Sequence, residues 1–333
     1  MAQPLPEKLL VVRLGAIGDV VNALVFATAV KDASPRTHIG WAVHPLARPL
    51  VDDHPSVDRV HVWPRGAGVS GFRALVREVR AERYGLAVDL QRLAKSAALA
   101  RLSGAPRVLG YDRARAKELS WLLTRERIAP GHARAHMVSQ YLEFAAHLGL
   151  PAAARHVLPA DPVADAWAAA RVAAWGTAPL VVHVGASKPE NRWAPERHGE
   201  LAAALADEHG GPVVLTGGPA DRPDAARARA ACPAAHDLAG ATDLRQLAAL
   251  CARARLFVGC DTGPMHLAAA AGCPVVALFG PADPLRTGPF GARARVVREP
   301  PAGADRGAPL PAASMLDVSV AAALRAAREL LES

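Results

Sequence analysis

The sequence predicts an α/β protein made of two Rossmann-like halves that face one cleft. Short apolar runs alternate with amphipathic segments along the chain, as in parallel sheets covered by helices. A strand that leads through a Gly-containing turn with an Asp into a helix also occurs twice, at residues 9–19 and at residues 256–266. Helix N-termini above strand ends are where α/β folds bind phosphates, so each half should carry one ligand site.

Length and composition limit the class of protein. The chain has 333 residues, 51% of them apolar, which is enough for two folded domains. No apolar run approaches the roughly 20 residues that cross a bilayer, and the N-terminus has no signal-peptide pattern, so we expect a cytoplasmic protein. The four cysteines are too widely spaced for a C-x-x-C metal or redox motif, and we expect buried thiols.

The net charge of +8 is concentrated in one region. Residues 65–134 contain fifteen Lys or Arg against six acidic residues. Such a region suggests a nucleic acid, an anionic membrane surface or a phosphorylated substrate as partner, with a solvated basic surface as the alternative. Aromatic residues make up only 5% of the chain, so the stacking platforms of single-strand binders are missing and we expect no nucleic acid partner.

In the first half, apolar runs bounded by turn residues predict strands, and the segments between them predict helices. The predicted strands are 9–13, 38–43, 59–62, 85–90 and 107–110. Helices are predicted at 20–30, 45–53, 72–82 and 134–148, of which 45–53 and 72–82 are the clearest. A stretch rich in Pro and Ala at 150–162 predicts the interdomain linker. We assign residues 1–155 to an N-terminal, acceptor-binding domain.

The second half repeats the alternation. The predicted strands are 179–184, 212–215, 256–258 and 275–279, and the predicted helices are 196–208, 220–231, 244–252, 267–271 and 318–331. The segment 300–311 is rich in Gly and Pro and predicts irregular structure. We assign 156–315 to a nucleotide-sugar-binding domain and 316–333 to a closing helix that packs toward the N-terminal domain.

The first turn contains two glycines and an aspartate. It does not match the G-x-G-x-x-G dinucleotide motif, which argues against a nicotinamide enzyme. Gly15 and Gly18 allow the backbone to approach a ligand closely, and Asp19 lies at or beside the start of the helix. A carboxylate there can cap the helix, act as a general base, or do both, and the residues alone leave this open.

The second turn supplies hydrogen-bond donors at a helix start. Asp261, Thr262 and Gly263 can offer backbone and side-chain groups to a phosphate or a sugar. His266 should lie one helical turn further, near the same ligand site. A core or capping role is the alternative.

Two further loops follow strands of the second half. In the loop at 183–193, Ser187 is small while Lys188 and Arg192 are cationic, a combination that suits a diphosphate without a metal ion. Asp221 follows the next strand, where a carboxylate can accept hydrogen bonds from ribose hydroxyls or can cap a turn. No Asp-x-Asp pair is present, so we expect no catalytic metal and no cofactor.

Taken together, these segments resemble the bacterial ADP-heptose:lipopolysaccharide heptosyltransferases, nearest to the heptosyltransferase I type. The matching motifs lie at 13–20, 89–97, 192–195, 261–267 and 279–284, in the family's order along nearly the whole chain. The resemblance implies a GT-B fold and an inverting, metal-independent transfer of heptose from ADP-heptose to an anionic Kdo-lipid A acceptor. It also implies a location on the cytoplasmic surface of the inner membrane. Another GT-B sugar-nucleotide transferase or an epimerase is the alternative.

The resemblance also assigns roles to residues. Asp19 is the expected general base. Donor binding is expected from Gly18, Ser187, Lys188, Arg192, Asp221, Asp261, Thr262, Gly263 and His266. Acceptor binding is expected from Arg65, Gln91 and Lys95, and from Arg73 and Arg77, which form a stripe with Arg80 on one face of the helix at 72–82.

Two positions depart from the family pattern. Asn191 stands where family members often carry a Lys that contacts the donor phosphates, with Lys188 and Arg192 nearby as candidate replacements. Arg92 stands where the family usually has a small Gly, so we expect the acceptor side to differ.

Overall fold

The computed structural model describes residues 4–64, 66–151, 153–291, 293–299 and 314–332. It divides into two compact units, Met1–Ala160 and Asp161–Ser333, and the division falls within the stretch predicted as a linker. In the described part of the chain, each unit holds one six-stranded parallel sheet with helices packed around it. The predicted α/β class is therefore confirmed.

The N-terminal unit builds its sheet from strands at regular intervals along the chain. These are β1 (Lys8–Val12), β2 (His38–Val43), β3 (Arg59–Val62), β4 (Leu86–Asp89), β5 (Arg107–Gly110) and β6 (Glu126–Arg127). They lie in the order β3-β2-β1-β4-β5-β6, with Leu10 opposite Gly40 on one side and Ala87 on the other. The helices are α1 (Ile17–Ala33), α2 (Gly68–Ala81), α3 (Ala94–Leu102) and α4 (Met137–His147).

The buried core of this unit explains the continuous apolar runs in its sequence. Residues 9–12 are fully buried, as expected for a central parallel strand that is covered on both faces. Helix α1 is buried continuously from Val20 to Val30, which is why its sequence is apolar around most of its circumference.

The C-terminal unit repeats the arrangement. Its strands are β7 (Leu180–His183), β8 (Val213–Thr216), β9 (His236–Asp237), β10 (Leu256–Cys260), β11 (Val275–Leu278) and β12 (Ala294–Val297), in the order β12-β11-β10-β7-β8-β9. Its helices are α5 (Pro162–Trp175), α6 (Pro195–His209), α7 (Arg222–Ala231), α8 (Leu244–Cys251), α9 (Gly263–Ala270), α10 (Pro284–Thr287) and α11 (Val320–Leu331).

Both sheets follow the Rossmann strand order 3-2-1-4-5-6. The order reverses between the first and fourth strands of each unit, that is, between β1 and β4 and between β7 and β10. Open parallel sheets bind ligands outside the carboxyl ends of their strands at this reversal point. Each unit thus has one expected ligand position, and the turns singled out in the sequence follow β1 and β10.

The last helix belongs to the C-terminal core. Ala323, Ala327 and Leu330 of α11 are buried in the same cluster as Leu201 and Leu205 of α6. The buried face of α11 therefore packs within the C-terminal unit, and packing of this helix toward the N-terminal domain stays a prediction.

Other differences lie at short or irregular elements. The segment predicted as a helix at 45–53 forms a 3₁₀ helix, Pro45–Leu50, because Pro49 cannot donate a backbone hydrogen bond. The short edge strands β6, β9 and β12 and the helix α5 were missed. The Gly/Pro-rich segment 300–311 lies outside the described residues.

Two expectations from composition can be compared with the structure. All four cysteines are free and buried, as expected, and burial raises the pKa of the Cys260 and Cys273 thiols to about 12. Across the described ranges, no helix combines the length and the apolar character needed to span a membrane.

Candidate active site

Asp19 lies in the first turn of α1, just after the turn that leaves β1. Ala16 occupies the N-cap position without a side-chain hydrogen bond, and Asp19 is the third residue of the helix. The carboxylate forms an ion pair with the guanidinium of Arg13, and the Asp19 side chain remains 37% exposed. Asp19 is thus not the N-cap, although its charge still favours the positive end of the helix dipole. Its carboxylate is both fixed and accessible.

Arg13 is held by both central strands of the N-terminal sheet. It directly follows β1 and is 5% exposed. Its Nη1 donates to the carbonyl of Leu90, just beyond β4, at 3.0 Å, and Trp41 Nε1 donates to the Arg13 carbonyl at 3.1 Å. The guanidinium also lies 5.8 Å from the ring centroid of Tyr141. Sequence reasoning gave Arg13 no role, although a cation that ends an apolar strand was a usable signal.

A cavity of about 530 Å³ opens at the carboxyl ends of β1, β2 and β4. The Leu14 N–H donates to Gln91 Oε1 at 2.7 Å, which fixes that amide beside the first turn. Lys95 Nζ lies 6.0 Å from the ring centroid of Trp63. The structure therefore brings two predicted acceptor residues next to the turn that precedes Asp19. The cavity is lined by Gly15, Ala16, His44, Trp63, Pro64, Gly66, Gly68, Gln91 and Lys95.

His44 was missed by sequence reasoning. It directly follows β2, its backbone N–H donates to the Leu14 carbonyl at 2.8 Å, and its Nδ1 lies 2.8 Å from the Trp63 carbonyl oxygen. Its position immediately after a strand was the available signal, because polar residues at carboxyl ends of parallel strands gather at one sheet edge.

Arg73 and Arg77 lie apart from this cavity. Both are exposed on α2, while Leu75 and Val79 of the same helix are buried. The two arginines line a separate groove of about 450 Å³ together with Ser70, Phe72, Val76 and Leu102. Arg65, the remaining predicted acceptor residue, lies outside the described residues.

In the C-terminal unit, the turn after β10 carries an unsatisfied hydroxyl. Thr262 is the N-cap of α9 and is 6% exposed, and its Oγ1 has no hydrogen-bond partner among the described residues. The Asp261 carboxylate lies 3.5 Å from Thr287 Oγ1 and 3.8 Å from His266 Nε2. A buried donor without a partner at a helix N-terminus suits an anionic ligand.

The two predicted cations of the loop after β7 differ in whether they form ion pairs. Arg192 forms ion pairs with Asp221 at 2.8 Å and with Asp224 at 2.9 Å, so two predicted donor-binding residues bind each other. Ser187 and Lys188 are exposed, and Lys188 makes no ion pair within the described ranges. Lys188 is therefore the cation of this loop that is available to a ligand.

The backbone around Asp221 is shaped to hold its carboxylate. The Gly218 N–H donates to Asp221 Oδ2 at 2.9 Å, and a Cβ at Gly185 would lie 2.4 Å from the same oxygen. Asn191, at the position where the family often has Lys, donates from Nδ2 to the Asp261 carbonyl at 3.3 Å. Asn191 thus connects the loop after β7 to the turn after β10.

The part of the chain that the structure describes contains no group of three or more His, Cys, Asp or Glu side chains arranged to hold a metal ion.

Comparison with known proteins identifies the family. Residues 72–309 match the model of glycosyltransferase family 9 (heptosyltransferase). The chain belongs to glycosyltransferase family 9. It is 27% identical over 288 residues to the lipopolysaccharide core heptosyltransferase OpsX of Haemophilus influenzae, covering 86% of this chain and 82% of that protein. It is 30% identical over 300 residues to lipopolysaccharide heptosyltransferase 1 of Pseudomonas aeruginosa, covering 85% and 81%.

A solved structure supports the same assignment. The ADP-heptose lipopolysaccharide heptosyltransferase II of Escherichia coli superposes with a TM-score of 0.77 at 25% identity, covering 98% of each chain. The predicted family, the GT-B fold class and the classification as a glycosyltransferase are confirmed. Because type 1 and type 2 relatives match at similar identity, 30% and 28%, sequence identity does not separate the two types.

The buried carboxyl of Asp89, at the end of β4, provides a test of this site's electrostatics. Burial raises its pKa from 3.8 to about 6, although the Gln91 N–H donates to Oδ1 at 2.9 Å. The folded protein therefore holds this proton more tightly than the unfolded chain. Stability should fall as the pH rises from about 4 to above 6, by up to about 3 kcal/mol.

Asp89→Asn should remove this contribution, because the amide does not titrate. Urea unfolding of both proteins at several pH values measures it: the free energy of unfolding of the variant minus that of the wild type should increase across this window. A difference that stays constant with pH would contradict the assignment.

Proposed function

We propose that this glycosyltransferase moves a heptose from ADP-heptose to the Kdo-containing inner core of a lipid A-linked acceptor, with inversion at the anomeric carbon. The names of its relatives support ADP-heptose as the donor and the lipopolysaccharide core as the acceptor. The observation that carries the proposal is the partly exposed Asp19 carboxylate, held by the buried Arg13 at the β1–β4 reversal point.

Asp19 is the proposed general base. An inverting transfer needs one group to accept the proton of the acceptor hydroxyl as the oxygen bonds to the anomeric carbon, and it needs no covalent nucleophile. The ion pair with Arg13 holds the Asp19 carboxylate in place, while its exposure leaves it accessible to a hydroxyl. A positioned base typically accelerates such a step by about 10²–10⁴-fold.

The leaving ADP gains negative charge as the glycosidic bond breaks. We assign its stabilisation to Lys188, to the Thr262 hydroxyl and to the N–H groups that begin α9 at Gly263. Ser187 and His266 complete the donor site in this proposal, with Gly18 beside the transferred sugar.

Arg192 takes a positioning role. Because Arg192 is bound by Asp221 and Asp224, it orients the Asp221 carboxylate toward the ribose hydroxyls, and Lys188 supplies the charge for the diphosphate. Asp261 fixes the turn in front of α9 through its contact with Thr287.

The acceptor is anionic, and we assign its binding to the N-terminal unit. We assign binding of the sugar that reacts to Gln91 and Lys95, because they line the cavity beside the first turn. Arg73 and Arg77, in their separate groove, suit phosphates or carboxylates further from the reacting centre, and Arg65 keeps its expected acceptor role. A lipid-linked acceptor implies work at the cytoplasmic surface of the inner membrane.

Replacing Asp19 tests the proposed base. Asp19→Asn keeps the size of the side chain but cannot accept a proton, so kcat should fall at least about 100-fold with little change in donor affinity. Steady-state kinetics with ADP-heptose gives kcat, and calorimetry with ADP gives the affinity. Asp32→Asn, an exposed carboxylate near the other end of α1, is the matched control and should retain activity. An Asp19→Asn enzyme with more than a tenth of wild-type kcat would exclude the role.

Replacing Lys188 tests the proposed phosphate contact. ADP should raise the melting temperature of the wild type more than UDP, GDP or CMP does, and Lys188→Gln should weaken ADP binding about tenfold, or roughly 1.4 kcal/mol. Arg229→Gln removes an exposed cation elsewhere in the C-terminal unit and should leave ADP binding intact. If Lys188→Gln binds ADP normally while Arg192→Gln does not, Arg192 is the phosphate ligand instead.

A further inference from the structure

The chain between β5 and β6 presents apolar side chains to solvent. Leu119 and Leu122 are 64% and 62% exposed; Leu119 precedes a short 3₁₀ turn, Ser120–Leu122, and Leu122 is its last residue. Glu118 and Leu119 both adopt left-handed backbone angles, with φ of 51° and 55°. Such angles are uncommon for these residue types, so the turn that exposes Leu119 is maintained at an energetic cost.

This turn is anchored to the rest of the N-terminal unit. Ser120 is buried, and its Oγ donates to the Arg92 carbonyl at 2.9 Å. The Ala94 N–H donates to a carboxylate oxygen of Glu118 at 3.1 Å, and the Lys117 N–H donates to the Arg92 carbonyl at 2.9 Å. The exposed leucines therefore stand on a fixed support.

Four exposed cations lie within nine residues of the exposed leucines in the sequence. The guanidinium carbons of Arg113 and Arg127 lie 4.6 Å and 5.7 Å from the ring centroid of Trp121. Lys117 and Arg125 are exposed, and neither makes an ion pair in the ranges that the structure describes. We call the set Arg113, Lys117, Leu119, Trp121, Leu122, Arg125 and Arg127 the Trp121 patch.

The acids close to the patch do not neutralise it. The carboxylate of Glu118 accepts a hydrogen bond from the Ala94 N–H, and that of Glu126 pairs with Arg107 at 2.8 Å and contacts His147 at 3.0 Å. The patch therefore combines an apolar tip, an indole ring and four cations.

We propose that the Trp121 patch docks the protein on an anionic lipid surface. Leu119 and Leu122 would enter the boundary between headgroups and acyl chains, Trp121 would lie at the headgroup level, and the cations would bind lipid phosphates. A nucleic acid would need an open aromatic face for base stacking, whereas the Trp121 ring already carries guanidinium groups. The patch contains none of the residues assigned above to donor or acceptor, and it rests on the proposed function in giving the implied membrane location a docking surface.

Vesicle co-sedimentation of the full chain tests the proposal without substrate. The wild type should bind vesicles that contain phosphatidylglycerol, should bind vesicles of phosphatidylcholine alone much more weakly, and should be released by salt. Leu119→Asn with Leu122→Ser should lower the binding at least about tenfold. We choose Asn at 119 because it tolerates the left-handed conformation. Val163→Ser with Leu316→Ser, 79% and 76% exposed in the C-terminal unit, is the matched control.

A second comparison of two double variants tests the charged part of the patch. Lys117→Gln with Arg125→Gln should weaken binding to the anionic vesicles by about tenfold or more. Arg36→Gln with Arg229→Gln removes the same charge from exposed positions outside the patch and should have little effect. Equal losses in both pairs would mean attraction by net charge alone and would overturn the patch as the docking site.

A fluorescence measurement covers the case in which a patch variant fails to fold. In anionic vesicles, lipids brominated on the acyl chains should quench part of the wild-type tryptophan emission, and Trp121→Phe should lose that part. An absence of quenching, or binding of a single-stranded oligonucleotide in preference to vesicles, would overturn the proposal. Because no turnover is measured, this result and the fate of the proposed transferase activity are independent.

Discussion

The ion pair between Arg13 and Asp19 is the interaction on which the candidate active site depends. Moving a guanidinium out of water costs several kcal/mol unless charges and hydrogen bonds replace the lost hydration. Here the Asp19 carboxylate and the Leu90 carbonyl take the place of water. Arg13 follows β1 and Leu90 follows β4, so the hydrogen bond that holds the guanidinium beside Asp19 forms only when these two strands are neighbours.

The neighbouring first and fourth strands determine where polar groups gather in each unit. The reversal of strand order puts carboxyl ends of the first and fourth strands side by side in both sheets. In the N-terminal unit this edge carries a carboxylate and a buried cation. In the C-terminal unit it carries a helix N-terminus, whose Thr262 hydroxyl has no partner among the described residues, and a loop whose Lys188 makes no ion pair with them. Under the proposed function, the carboxylate would accept the proton of the acceptor hydroxyl and the C-terminal site would bind the departing diphosphate.

Much of the fold was predictable because its signals are local. Buried parallel strands are continuous apolar runs in the sequence. The Gly-containing turns after β1 and β10 can be recognised from their own few residues. The edge strands β6 and β9 were not predictable, since two residues carry no periodicity. The sequence alone did not show whether Asp19 caps helix α1, because the N-cap is defined by its backbone angles. In the structure Ala16 has those angles, so Ala16 is the N-cap.

Contacts between residues that are far apart in the sequence could not be predicted either. The ion pair between Arg192 and Asp221 joins two side chains that sequence reasoning assigned separately to the donor, and only tertiary structure brings them together. The same applies to Gln91, whose amide is fixed by the Leu14 N–H 77 residues earlier.

The most direct measurement is the identity of the product. The protein would be incubated with ADP-heptose and a Kdo-lipid A acceptor, and the acceptor examined by mass spectrometry and by NMR of the new anomeric centre. The account predicts that the acceptor gains one heptose for each ADP released and that the anomeric configuration of the heptose is inverted. A product formed only from a different nucleotide sugar, or one with retained configuration, would contradict it.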